Sequence, residues 1–393
     1  MLLLLCGILL KFITMRKAVI LLATLLLTGL ISNGQGKSPF VYQDSNTRLQ
    51  FGGFVRTVAF ADFGGIVPHY DFRNALMSVP GQWHNDSRLS LDASGTRLSF
   101  KAVQKTDRLG DIEFYIESDF RGSGDALRLR QAYVSFKGII AGQTWSFMTD
   151  LPANATTIDV QGVNSRTFLR TPLIGYRGVI DQNLSYGIAL EFPSVRYTVT
   201  ADYRAVNQRL PDLPFYVQYK GERGHLKLAG MLRVLDYGVN SSEEIESKAG
   251  FGAQLSGSLK AAAGLTLYSQ AILGKGISRY INDLALVSVD LVPDQANDGL
   301  QTLPMYGISL GAKSDFAKDL YATANISVAG LMNKEDYFSA NEYYTGSYFS
   351  ASLFWNAARN MTIAGEFIHG TRKNMGDEKG SANRLQVMFM YKW

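Results

Sequence analysis

Cysteine is all but missing from these 393 residues: the one thiol is Cys6, so neither a disulfide framework nor a thiolate metal site can organise the fold. Histidine is nearly as scarce, with His69, His84, His225 and His369 the full set. Only 10 prolines occur and no Pro/Ser-rich stretch divides the chain, so no interdomain linker is visible and one domain is expected. An excess of one charge is lacking too. Leaving out residues 1–34 removes Lys11, Arg16 and Lys17 and no acid, which lowers Lys+Arg from 39 to 36 against 34 Asp+Glu and the net charge from +5 to +2. Such a chain has no clustered basic face of the kind nucleic-acid binding needs.

Long apolar runs are confined to the first residues, where Leu2 to Leu10 and Ala18 to Ile31 flank Lys11, Arg16 and Lys17. From Met15, the expected true start, the order is basic, apolar, then small residues at Ser32 and Gly34, which predicts an export signal over 1–34 cleaved before Gln35. A permanent anchor helix is disfavoured, because the run falls short of the ~20 residues that a spanning helix needs. A short extension, 35–46, then precedes the remaining residues, 47–393.

Those residues alternate with period two in segments of about ten, as strands do when one side meets lipid and the other a polar lumen. The last segment is the clearest. Leu385, Val387, Phe389, Tyr391 and Trp393 share one face, and Arg384, Gln386, Met388, Met390 and Lys392 the other. Likewise Leu98, Phe100 and Ala102 oppose Arg97, Ser99 and Lys101, while Ile112, Phe114 and Ile116 oppose Glu113, Tyr115, Glu117 and Asp119. Leu226, Leu228 and Leu232 oppose Lys227 and Arg233. A soluble barrel fills its inside with apolar residues and turns charge outward, so alternation alone leaves the soluble reading open.

Connections narrow the choice. Short turns at 107–110, 137–138, 221–224, 262–264, 317–319 and 356–360 alternate with long polar stretches at 64–85, 150–166, 193–212, 237–246, 278–300, 331–344 and 370–382. One short rim and one long rim, with an even number of about 16 strands, is the outer-membrane barrel pattern. Tyr and Phe, 42 residues in all, often fall at strand ends, which suits interfacial girdles as well as plain β-propensity. The fold class expected is all-β: a transmembrane antiparallel β-barrel in outer-membrane lipid.

The segment LRQAYVSFKGIIAGQTWSFMTD, centred on Gly142, Gln143, Thr144, Trp145 and Ser146, resembles the DcaP-like outer-membrane porins. GDIEFYIESDF (110–120), ALEFPS (189–194), LPDLP and GHLKLAGMLR extend the resemblance over the mature chain. It implies a 16-stranded homotrimeric barrel with its third long loop folded into the lumen, passing small anionic solutes such as dicarboxylates. The terminal aromatics Phe389, Tyr391 and Trp393 resemble the signal that barrel-assembly machinery reads. One departure is plain: some members carry a helical segment ahead of the barrel, and 35–46 is too short for it.

On this reading the constriction loop is Asp150 to about Gly175, carrying Asp159, Arg166 and Arg170. Arg56, Arg97, Lys101, Arg128 and Arg130 line the adjacent wall, faced by Glu113, Glu117 and Asp119. A pore selects by size and lining charge, so these residues set a local field. Alternatively they pair across neighbouring strands and stiffen the wall. No cofactor, metal or catalytic residue is expected. A barrel hydrolase would draw on His84-Asn85-Asp86-Ser87, but adjacency does not supply a triad's geometry. His69 with Asp71, or the Asn/Asp residues of 282–298, could bind a cation only weakly, with no EF-type spacing. A plugged receptor or adhesin is the other alternative, and it needs a plug domain ahead of the first strand.

Overall fold

A computed structural model describes residues 40–79, 87–197, 200–242, 244–294, 299–334 and 339–393; the expected signal, 1–34, lies outside the described residues. Alternating β-branched, aromatic and polar residues fit a pleated surface with two different faces, and each such segment is a strand. They are β1 (Thr47–Phe63), β2 in two pieces (Ser87–Asp92 and Arg97–Thr106), β3 (Gly110–Asp119), β4 (Arg128–Phe136), β5 (Ile139–Trp145), β6 (Arg170–Val179), β7 (Leu184–Glu191) and β8 (Leu213–Gly221). The second half comprises β9 (Gly224–Val239), β10 (Ile245–Ala262), β11 (Leu265–Lys275), β12 (Pro304–Asp315), β13 (Leu320–Leu331), β14 (Tyr343–Ala358), β15 (Met361–Asn374) and β16 (Lys379–Lys392). Each pairs antiparallel with the next, and β16 pairs with β1 from Phe54↔Lys392 to Phe63↔Asn383, which closes a barrel of 16 strands. Closure leaves no edge for foreign strands to pair with.

The closing seam has an extra piece. Val41–Gln43 pairs with Arg48–Gln50 on the same edge of β1 that β16 occupies, just beyond the point where the Trp393 N–H reaches Gly53 O at 3.3 Å. Asp44 turns the chain from this piece into β1 by accepting the N–H groups of Asn46 and Thr47, at 2.8 and 2.7 Å.

Eight connections on one rim, L1 (64–86), L2 (120–127), L3 (146–169), L4 (192–212), L5 (240–244), L6 (276–303), L7 (332–342) and L8 (375–378), alternate with turns on the other. Two of the expected long loops are corrected: half of 237–246 and most of 370–382 is strand, because β9, β10, β15 and β16 run on at the long-loop rim. The turn at 180–183 and the loop L2 were not expected. Outward rows are apolar and exposed, as at Leu226, Leu228, Leu385, Val387 and Phe389.

Inward rows are less uniformly polar than the expected wet lumen. On the long-loop half of β9 to β13 they include Met231, Ile272, Met305, Ala329 and Leu331, all buried, and these pack against Ile277, Tyr280, Ile281 and Leu284 of L6. L1 contributes a second apolar cluster through Val67, Phe72 and Met77 against Tyr348 and Ile368. Besides L3, L1 and L6 therefore also fold inward.

Candidate functional site

The lumen-facing charges gather where β1 to β4 approach L3. Arg97, Lys101, Glu113, Glu117 and Asp119 share the inward register of β2 and β3, and a bulge at Glu117/Ser118 turns both Arg128 and Arg130 of β4 toward the same carboxylates. Arg130 donates Nε to Glu117 at 2.6 Å and Nη1 to Asp119 at 2.8 Å. Arg128 grips Asp119 with Nε at 2.9 Å and Nη2 at 2.7 Å. Lys101 meets Glu113 at 2.6 Å, and Arg97 stands 3.7 Å from Glu117. The acids thus stand beside the cations on one wall, and this corrects the expectation that the two rows face each other.

Arg56, Arg166 and Arg170 differ, having no carboxylate partner among the described residues. Arg56 points inward from β1, donates Nη2 to Ile158 O in L3, and places Nε 3.3 Å from the Met388 sulfur. Arg166 donates to Val160 O at 2.5 Å and lies 3.8 Å over the Phe168 ring. Burial lowers its pKa to about 10, which leaves it charged at neutral pH. Arg170 rests 4.9 Å over Trp145, whose indole is 4.7 Å from Phe168. Arg170 opens β6, so the in-folded loop is 146–169 and the expected range 150–175 is corrected at both ends.

Why L3 leaves the wall where it does follows from the Gly-Gln-Thr-Trp-Ser run. Gly142 has φ +128°, and a Cβ there would fall 2.2 Å from Ala132 O, so no other residue fits the close approach of β4 and β5. Gln143 Nε2 donates to the carbonyls of Leu129 and Arg130 at the bulge, and Thr144 Oγ1 donates to Gln131 Oε1 at 2.9 Å. The Ser146 N–H bonds Leu169 O at 2.9 Å, pinching the two ends of the loop together.

The rest of L3 is fastened along β9 to β15 by residues that were not expected at the site. Gln254 donates to Met148 O at 2.8 Å and Lys227 to Thr149 O at 2.9 Å. Glu366 accepts the N–H groups of Ile158 and Asp159 at 2.8 and 2.9 Å. Asp150 accepts from His225 Nε2 at 2.9 Å and from Ser256 Oγ at 2.6 Å. Burial opposes its ionisation, but these two bonds prevail and hold its pKa below the usual value. A single signal was available: polar residues at inward positions of long strands, Lys227, Gln254 and Glu366, must be satisfied by something inside the barrel.

Asp159 sits fully buried at the meeting of L1 and L3, with one oxygen receiving the Phe72 and Gln161 N–H groups and the other unpartnered. Burial, then the charges of Asp71 and Glu366, push its pKa well above the usual carboxylate range.

The described groups of the candidate histidine and cation sites have other partners. His84, Asn85 and Asp86 lie outside the described residues. Asp71 is taken by Arg121 at 2.6 Å. In L6, Asp290 accepts from Ser278 N and Asp283 from Tyr343 OH, at 2.7 and 3.0 Å. His225 touches Ser258 Oγ through Nδ1 at 2.9 Å, but Ser258 lies in the ladder between β9 and β11, which uses the backbone donors an oxyanion would need.

Sequence comparison is decisive about kinship. The profile of the DcaP outer membrane protein family matches residues 30–393. The chain belongs to that family. As a DcaP family member it resides in the outer membrane and is a channel-forming barrel of the porin kind. Its fold is similar to the crystal structure of the outer membrane channel DcaP of Acinetobacter baumannii, with a TM-score of 0.77 at 18% identity over 89% of this chain and 99% of that one. An anion-selective porin from Comamonas acidovorans shares the fold at a TM-score of 0.57 and 13% identity, over 88% of this chain and 100% of that one. Vibrio cholerae OmpT, described in a trimer form, does so at 0.54 and 11%, over 89% and 100%. No curated protein sequence matches the chain.

Proposed function

We propose that this DcaP family barrel is a passive diffusion pore biased toward small hydrophilic anions, dicarboxylates among them. The observation that carries this reading is the unequal charge of the wall. Arg56, Arg97, Lys101, Arg128, Arg130, Arg166 and Arg170 stand against Glu113, Glu117 and Asp119, each of which a cation already holds. Burial and the neighbouring carboxylates oppose a charge on Asp159. A net positive field in a narrow, low-dielectric passage raises the local concentration of anions. The anion-selective porin from Comamonas acidovorans, which shares the fold, points the same way.

We assign no bond-making step, and the His225 contacts serve to hold L3. A signal peptide over 1–34 is part of the proposal, as is recognition of Phe389, Tyr391 and Trp393 by assembly machinery. So is a homotrimer joined through the outer face of the first strands, where Leu89 and Leu91 are 82% and 73% exposed in the single chain. Proteoliposome swelling tests the selectivity. With solutes of matched size, a dicarboxylate should enter faster than a diamine at low salt, and equal rates would contradict the anion bias.

A further inference from the structure

We infer that L6, and not L3 alone, sets the cross-section of this pore, by permanently filling the β9 to β14 side of the lumen and confining solutes to the β2 to β6 side. The inference rests on the channel reading and adds the element that limits size.

A closed barrel of 16 strands left empty encloses an aqueous channel. Here the two sides of the wall differ. On β2 to β4 the inward side chains of Lys101 and Arg128 are 40% and 38% exposed, open to water inside the barrel. On β9 to β13 the inward Met231, Ile272, Met305 and Leu331 are 1% exposed or less. What covers them is L6: Ile277, Tyr280, Ile281 and Leu284 are each 0% exposed and belong to one apolar cluster with those wall residues. A loop that merely overhangs a pore mouth keeps its apolar residues sparse and wet. This one packs as a protein core does.

Polar bonds fix L6 in place on three sides. Toward L3, Asn282 Nδ2 donates to Gln161 O and Val163 O at 2.8 and 3.1 Å. Toward the wall, Asp283 accepts from Tyr343 OH at 3.0 Å, while Tyr280 OH donates to Glu191 of β7 at 3.1 Å. At the loop's base, Asp290 accepts the Ser278 N–H at 2.7 Å and stands 3.3 Å from Arg233. Because L3 leans on L6 through Asn282, the two loops act as one inner wall, and the open path lies between that wall and the arginines.

The test uses the full detergent-extracted barrel. Replacing 278–301 by a short Gly/Ser connection should raise single-channel conductance at least roughly twofold, as a second half of the lumen opens. An unchanged conductance from the folded variant would overturn the inference, whereas a wild-type barrel that never conducts would instead sink the channel reading. If the deletion does not assemble, single cysteines decide in a Cys6→Ser background. Leu284→Cys should resist a charged methanethiosulfonate while Arg128→Cys reacts quickly and its conductance falls. Rapid modification of Leu284→Cys in the folded barrel would show L6 to be wet and mobile, and would overturn the inference.

Discussion

Arg128 and Arg130 sit two residues apart on β4, yet their environments separate charge from stability. Arg130 is buried between Glu117 and Asp119, so Arg130→Ser leaves two carboxylates under-neutralised and should cost about 3–5 kcal/mol, read as a lower unfolding temperature of the extracted barrel. Arg128 is more than a third exposed, and an ion pair of that kind contributes ~0–1 kcal/mol. Arg128→Ser should therefore keep the barrel intact while moving the reversal potential in a salt gradient toward lower anion preference; an unmoved potential would remove Arg128 from the selecting set. Asp283 offers a pH test. Burial, despite bonds from Tyr343 and Asn164, raises its pKa from 3.8 to about 7. The unfolded chain gives up this proton near pH 4 and the folded chain near 7, so the folded state holds more protons between them and stability falls as pH rises through that window. Amide exchange in L6 should accelerate from pH 4 to 7 in the wild type after correction for intrinsic rates, and Asp283→Asn should abolish that dependence. A dependence that survives the substitution would locate its origin elsewhere.

L3 and L6 show what the sequence could and could not say about elements. The Gly142 to Ser146 run marked the start of an in-folded loop, and its local role is steric: Gly142→Ala must relieve a 2.2 Å approach at positive φ, with an expected loss of about 1–3 kcal/mol and a reduced yield of folded, heat-modifiable barrel. A normal yield and melting temperature would show the strand pair to be more pliant than its geometry. L6 went unread as a packed element although Leu284, Leu286, Val287, Val289, Leu291 and Val292 are too apolar for a solvated loop; a rim position masked that signal. The rims of β9, β10, β15 and β16 were misjudged for the opposite reason, because Gly, Asn, Ser and Thr read as loop while their strands continue beyond the lipid. The alternation of β16 needed no tertiary information, since both of its faces have fixed solvents. Which inward charge pairs with which acid did need it, because the β4 bulge shifts the register by a residue.

At the scale of the whole molecule, closure depends on β16 meeting β1, and Trp393, which follows β16, reaches Gly53. Removing Trp393 should lower the amount of heat-modifiable protein in the outer membrane without changing synthesis, and normal levels would exclude a role in assembly. The outer rows at Leu89 and Leu91 should be protected by neighbouring copies, which chemical crosslinking would register as a trimer ladder. What unites the inner arrangement is asymmetry, with a dry half built from L3, L6 and the inward rows of β9 to β14, and a wet half carrying the arginines. Single-channel recording in a planar bilayer under a salt gradient tests that directly. The account predicts a conductance well below that of an empty barrel of 16 strands, with a reversal potential of anion sign. A large conductance with no ion preference would contradict both the filled half and the charged one.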